Sequence, residues 1–258
     1  MGKYFQDSYR IMQIKQIANG VYDMTVFCPE VASIAKPGQF VHIKIEGFTL
    51  RRPMSICTIN KENGTIRIVF EIRGQGTEKL ATLRVYDYLD MIAPLGNGFD
   101  LLDKETLPVI IGGGLGTPPM LALAEYYGDS ATAILGFRSQ DKAMLGIDFS
   151  KTGAYSYLCT DDGSLGRKGY VTDLLAERLT GGHADIVYAC GPKAMLKAVA
   201  EMSKKFGVRC QVSLEERMGC GVGACLVCAC KTQDANGEHF SHVCKDGPVF
   251  EANKIVFD

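Results

Sequence analysis

From the start of the chain to about residue 100, apolar and polar positions alternate over short runs interrupted by turn residues. The runs Arg10–Ile17, Val21–Cys28, Gln39–Ile45, Met54–Ile59 and Thr65–Ile72 read as strands, with Gly20, Pro37-Gly38 and Asn63-Gly64 between them. Strands of this length and spacing predict an antiparallel barrel, and Lys61–Gly64 predicts a hairpin tip. Near residue 107 the pattern changes. Short apolar runs at Val109–Ile111, Ala131–Phe137, Tyr155–Cys159 and Ile186–Ala189 now alternate with helix-like segments, notably Val171–Leu179 and Pro192–Phe206, and Arg209–Leu214 reads as a last strand. That alternation predicts a parallel sheet covered by helices. After Glu216 a tail of about 40 residues holds half of the cysteines. The expected fold is all-β followed by α/β, with a barrel over 1–101, an α/β domain over 102–214 and a small cysteine-rich module over 215–258.

Composition narrows the classes. A chain of 258 residues with 47% apolar content can bury a sizeable core, which excludes wholesale disorder. Lys+Arg 28 against Asp+Glu 29 leaves a net charge of −1, without the basic footprint of a nucleic-acid binder. The first residues, MGKYFQDSYRIMQ, lack the apolar core of a secretory signal, so a reducing, cytoplasmic setting is expected. Gln6 breaks the myristoylation pattern. The uncharged run Thr106–Ala124 is long enough for a membrane span, yet it carries Gly112, Gly113, Gly114, Gly116, Pro108, Pro118 and Pro119. So many helix breakers predict a buried strand, a turn and a helix start.

Cys220, Cys225, Cys228 and Cys244 are spaced C-x4-C-x2-C and then fifteen residues to the fourth, the plant-type [2Fe–2S] ligand spacing. Thiolates are natural donors to such clusters, and Gly219, Gly221 and Gly223 allow a backbone to curl around one. Structural zinc usually draws on two C-x2-C knuckles, of which only Cys225/Cys228 is present. Cys230 competes with Cys244 as fourth ligand; Cys244 returns from a separate segment and is preferred. Cys28, Cys57, Cys159, Cys190 and Cys210 are scattered and read as small buried apolar residues.

Two further constellations suit phosphates and rings. Arg51-Arg52-Pro53-Met54-Ser55 can offer a guanidinium fork to a pyrophosphate and a hydroxyl to a ring nitrogen or carbonyl. Arg73-Gly74-Gln75-Gly76-Thr77 precedes a helical EKLATL, and Thr77 as N-cap after glycines would make an anion site. Val109–Met120 (VIIGGGLGTPPM) reads as strand, glycine turn and helix start, with the close backbone approach a dinucleotide needs. Cys190-Gly191-Pro192 follows the next strand in the same way. Alone, each reads as a surface strand edge or an ordinary turn.

In order and together, these segments resemble the ferredoxin–NADP reductase superfamily, whose R-x-Y-S box, G-G-G-x-G-x-x-P turn and C-G-P-x-x-M box they match. Met54 stands where the flavin-facing Tyr of that family lies. With the terminal cysteine module, RRPMSI, PLGNGF (Pro94–Phe99), GGGLGTPPM, TDDGSLGRKG (Thr160–Gly169), CGPKAM, ERMGCGVGAC and VCKDGPVF closely resemble the electron-transfer subunits of type B dihydroorotate dehydrogenase. The resemblance implies FAD held by Arg52, Pro53, Met54, Ser55, Gly76 and Thr77, with the backbone around Val69, Phe70 and Glu71 also touching it. It implies NAD at Gly112, Gly114, Gly116, Thr117, Cys190, Gly191 and Pro192, and a [2Fe–2S] cluster on the four cysteines, with no catalytic acid or base in this chain. It further implies an FMN-containing catalytic partner that oxidises dihydroorotate in pyrimidine biosynthesis, two copies of each subunit, and the electron order FMN, cluster, FAD, NAD⁺. The alternative is the flavoprotein subunit of a ferredoxin-dependent NAD(P)H oxidoreductase or sulfide dehydrogenase, built from the same modules. Arg138 and Lys142 follow the Ala131–Phe137 strand and are candidates for a 2′-phosphate contact, with solvated surface the plainer role.

Overall fold

Six strands close an antiparallel barrel in the computed structural model, which describes residues 3–257. They are β1 (Phe5–Ala18), β2 (Val21–Phe27), β3 (Phe40–Ile43), β4 (Arg52–Asn60), β5 (Thr65–Glu71) and β6 (Tyr88–Leu95), arranged β1-β2-β5-β4-β3-β6. Gly20 (φ +72°) and Gly64 (φ +62°) turn the β1–β2 and β4–β5 hairpins in left-handed backbone that other residues rarely adopt. The inward positions, among them Ile11, Met24, Val41, Ile43, Ile56, Ile68, Phe70 and Met91, form one buried cluster. Two short helices, α1 (Pro29–Ile34) and α2 (Gln75–Ala81), lie between strands. The closing strand β6 is absent from the five the sequence predicted. Its buried Leu89, Met91, Ala93 and Leu95 alternate as a half-buried strand should.

The second unit is a seven-stranded sheet. Its elements are β7 (Pro108–Gly113), α3 (Thr117–Tyr127), β8 (Thr132–Phe137), α4 (Gly146–Lys151), β9 (Tyr155–Thr160), β10 (Arg167–Lys168), α5 (Val171–Thr180), β11 (Ile186–Cys190), α6 (Lys193–Lys205) and β12 (Arg209–Ser213). Beyond them come a hairpin of β13 (Ala229–Asp234) and β14 (Gly237–His242), then β15 (Val249–Glu251). The order is β10-β9-β8-β7-β11-β12-β15, parallel throughout except β15, which adds antiparallel to β12. Every residue of β7 is buried, as a central strand covered on both faces requires. After β9 and β10 the chain crosses to the far side of β7, so the winding reverses between β7 and β11.

Packing divides the chain into two compact units rather than three. Residues 215–230 and 240–248 pack with the barrel; residues 231–239 and those from Val249 onward pack with the sheet. The terminal segment is thus contiguous in sequence but divided between the two units, with β15 completing the sheet edge.

Candidate functional site

The barrel wall is open at the predicted flavin segment. Strands β4 and β5 pair only from Ile56/Ile68 toward the hairpin. Arg52–Ser55 therefore pair with β3 alone, and Val69–Glu71 with β2 alone. The Ile56 N–H bonds Gln39 O at 3.0 Å, which fixes the alternation and turns the peptide groups of Pro53 away from β3. Pro53 has no N–H to offer on the β5 side, so this edge lacks a donor at position 53. Past Ile56/Ile68 the two strands have no register pair with each other.

The adjacent arginines part company. Arg51 Nη1 bonds Asp90 Oδ1 at 2.8 Å and His42 O at 3.3 Å, tying β3 to β6. Arg52 has no carboxylate partner among the described residues; its guanidinium lies against Gly76, where a Cβ would come 3.1 Å from Nε and Nη2. The two motifs, 24 positions apart, thus meet at the start of α2. Thr77 is not the N-cap predicted for it. Gly74 holds that position and Thr77 is third in the helix. Its hydroxyl turns back to accept the N–H groups of Arg73 (2.8 Å) and Gly74 (3.2 Å). The first helical bond comes from Glu78 N–H to Gly74 O, which leaves the N–H groups of Gln75, Gly76 and Thr77 outside the helical ladder. Those donors beside the Arg52 guanidinium fit a pyrophosphate. Met54 is half-buried against the barrel core.

In the sheet unit, the two predicted nucleotide loops lie together at the carboxyl ends of β7 and β11. Gly112 and Cys190 are register partners. A Cβ on Gly116 would run into the Cys190–Gly191 peptide; one on Gly191 (φ +157°) would lie 3.1 Å from Gly113 Cα. A Cβ on Gly112 would come 2.7 Å from Thr117 Cα. Thr117 opens α3 and is buried, its hydroxyl without a hydrogen-bond partner. Pro118 and Pro119 follow in the first turn, where an N–H has no helical acceptor, and Pro192 caps α6. Reversal of winding between β7 and β11 puts the crevice of a doubly wound sheet at this place. A cavity of about 530 Å³ lined by Ser139, Gln140, Asp141, Asp162 and Ser164 lies beyond β8 and β9. Hydrogen bonds from the Ser164 hydroxyl (2.6 Å) and N–H (2.9 Å) hold the Asp162 carboxyl below its ordinary range.

Four of the five cysteines in the terminal segment come together in pairs. Cys220 is joined to Cys225, and Cys244 to Cys228, by a backbone N–H that donates to the partner's sulfur. Backbone N–H groups point at the sulfurs. Val222 and Ala224 donate to Cys220 Sγ (3.4 and 3.2 Å), Cys220 to Cys225 Sγ (3.3 Å), Gly223 to Cys244 Sγ (3.1 Å) and Cys244 to Cys228 Sγ (3.4 Å). Burial opposes ionisation of Cys220, but these donors bring its thiol down to about 7; burial and Cys228 push Cys244 up to about 12. Gly221 (φ +73°) and Gly223 (φ +81°) supply the left-handed turns of the loop. Among the described residues no three His, Cys, Asp or Glu side chains converge on one ion position. A [2Fe–2S] cluster asks instead for two thiolates at each of two irons, and the donor set fits that group. Cys230 stands outside this network, buried, its thiol pushed up to about 11. Asn97 was not singled out by sequence. Its amide donates to Lys245 O (3.1 Å) and Asp246 O (3.0 Å), anchoring the chain that follows Cys244.

The gapped barrel and the doubly wound sheet define the class: an oxidoreductase of the ferredoxin-reductase fold. The structure of an NADH-dependent reduced ferredoxin–NADP oxidoreductase matches with a TM-score of 0.85 and 29% identity, covering 97% of this chain and 90% of that one. Ferredoxin–NADP⁺ reductase from Plasmodium falciparum shares the fold at a TM-score of 0.63 and 15% identity, over 81% of this chain and 95% of that one. Residues 215–256 match the iron–sulfur cluster binding domain of dihydroorotate dehydrogenase B. The chain belongs to the electron transfer subunits of NAD⁺-dependent dihydroorotate dehydrogenase B. The subunit of that name from Caldanaerobacter subterraneus subsp. tengcongensis is 42% identical over 96% of this chain and 97% of the relative; that from Bacillus cereus is 39% identical over 95% and 96%. Among the described residues no helix is long and apolar enough to cross a membrane.

Proposed function

We propose that this subunit carries electrons from a dihydroorotate-oxidising, FMN-containing partner through a [2Fe–2S] cluster and FAD to NAD⁺, in cytoplasmic pyrimidine biosynthesis. Two copies of each subunit make up the assembly in this reading. The observation that carries it is the set of backbone N–H groups aimed at the sulfurs of Cys220, Cys225, Cys228 and Cys244. Arg52 and the N–H groups of Gly76 and Thr77 hold the FAD pyrophosphate. Pro53, Met54, Ser55 and the backbone of Val69, Phe70 and Glu71 line the ring slot. Gly112, Gly114, Gly116 and Thr117 take the NAD pyrophosphate, and Cys190, Gly191 and Pro192 border its nicotinamide. Asp141 and Asp162 in the cavity beyond β8 favour NAD: a carboxylate suits a ribose 2′-hydroxyl and repels a 2′-phosphate. The exposed Leu226 and Val227, beside Cys225, are the apolar side chains offered to the partner.

Flavin chemistry supplies the conversion between single electrons and a hydride. This chain's residues bind and orient the groups; the proton that each electron pair needs to become a hydride would come from solvent, so none of them is assigned as an acid or base. The test is anaerobic purification followed by iron, sulfide and flavin analysis. About two irons and two sulfides per chain are expected, and zinc in their place would overturn the reading. Mixing with the catalytic subunit should then couple dihydroorotate oxidation to NAD⁺ reduction.

A further inference from the structure

His42 is an anomaly of the barrel. On β3 its neighbours Val41 and Ile43 face the core, so alternation sends its side chain outward, yet it is 0% exposed. What covers it is the cysteine loop. A Cβ on Gly221 would stand 2.5 Å from Nδ1 and 3.2 Å from Cε1, so the backbone beside Cys220 is seated directly on the imidazole. The carbonyls of Cys220 and Arg51 lie beside the ring. Neither ring nitrogen makes a full hydrogen bond, however. A buried polar atom left unmatched costs about 1–3 kcal/mol, and in any protonation state an imidazole has at least one N–H to give. His42 also pairs across the ladder with Pro53, on the strand that carries the flavin segment. One side chain therefore touches the peptide of the first cysteine while its own strand braces Arg52–Ser55.

We propose that His42 is a positioning residue of the iron–sulfur site: its imidazole seats the Cys220–Cys225 loop on the flavin-binding strand pair. The inference rests on the cluster assignment above. It explains why residue 221 is glycine, since any side chain there would displace the ring, and its φ of +73° would strain a replacement as well. It also gives the loop a fixed position relative to β4, the strand on which the flavin slot opens.

The test uses the purified holo-chain and three variants. His42→Leu fills the volume but has no N–H; His42→Gln keeps an amide donor; Gly221→Ala presses on the ring from the loop side. Iron release to a chelator is followed at 420 nm, and the reduced cluster by electron paramagnetic resonance, with bound FAD measured alongside as the record of a folded barrel. Loss of an outer-shell partner typically costs 10- to 100-fold in metal affinity. His42→Leu and Gly221→Ala should thus release iron about 10-fold faster with shifted resonance lines, and His42→Gln should return toward wild type. Wild-type release and spectrum in His42→Leu, with FAD bound, overturn the positioning role. So does a Gln variant no better than Leu, which would make shape alone the cause. A wild-type chain that binds FAD but no iron refutes the cluster assignment itself, and the inference with it.

Discussion

Arg51 and Arg52 are neighbours in sequence with opposite expected effects. The guanidinium of Arg52 touches the Leu50 carbonyl, the Phe48 ring (5.5 Å) and the Gly76 backbone, with no carboxylate partner among the described residues. Arg52→Ala removes little from the empty barrel: an exposed cation–π contact is worth about 0.5–1 kcal/mol, or roughly 1–4 °C in Tm. Against bound FAD it removes a hydrogen bond to a charged group, about 1.5–3 kcal/mol. That is an affinity weaker by about ten- to hundredfold. Arg51 has a half-hidden partner in Asp90 (2.8 Å) and bonds the His42 carbonyl (3.3 Å), with a side chain 16% exposed. Arg51→Ala strands Asp90 and loosens β3 from β6, at up to about 1.5–3 kcal/mol with some loss to solvent screening, so its Tm should fall by roughly 5 °C. Flavin fluorescence during dilution reads affinity, and thermal melts of the apo-chains read stability. The reasoning fails if Arg52→Ala keeps FAD as tightly as wild type, or if Arg51→Ala loses FAD with an unchanged melt.

Cys225→Ser should lose its iron and Cys230→Ser keep it; iron loss from the second variant would move the fourth ligand from Cys244. Cys225→Ser should still reduce a dye with NADH while failing, beside the catalytic subunit, to reduce NAD⁺ with dihydroorotate; wild-type coupling without a cluster would contradict the electron order. Gly116→Ala forces a methyl onto the Cys190–Gly191 peptide, so kcat/KM for NADH-to-dye turnover should drop about tenfold or more, overpacking costing ~1–3 kcal/mol, with FAD and iron content unchanged. Asp162→Ser should narrow the preference for NADH over NADPH by about tenfold, roughly 1.4 kcal/mol, in the same dye assay.

Strand and helix periodicity carried most of the architecture because most barrel strands bury one face and the central sheet strands both. β5 and β7 read directly from Thr65–Ile72 and Val109–Ile111. β6 escaped although its alternation is regular, because Val85-Tyr86-Asp87-Tyr88 before it presents exposed aromatics without a clear turn signal. Thr77 was misplaced by three positions because Gly74, with no side chain to cap with, holds the N-cap. The cysteine spacing was legible since ligands must recur at fixed offsets. The gap between β4 and β5 was not, for nothing local to Pro53 says which neighbour its missing N–H would have faced. Likewise the sharing of the terminal segment between two units depends on pairings such as β15 with β12, between residues some 40 positions apart.

An electron relay has no need of a poised acid or base, and the residues that define these sites are correspondingly poor in titratable groups. What recurs is backbone chosen for approach. Gly76 admits the Arg52 guanidinium, Gly116 admits the Cys190 carbonyl, Gly221 admits His42, and Pro53 removes a donor from a strand edge. Each is a place where one methyl, or one extra N–H, would lengthen or close a contact. Because electron and hydride transfer depend on short, fixed separations, selection on this chain should fall on backbone shape first and on side-chain chemistry at a few positions, Arg52, His42, Asp162 and the four thiols. A map of substitutions would then show its deepest losses at glycines and a proline inside otherwise tolerant loops, and shallow ones at the acidic and basic residues around them.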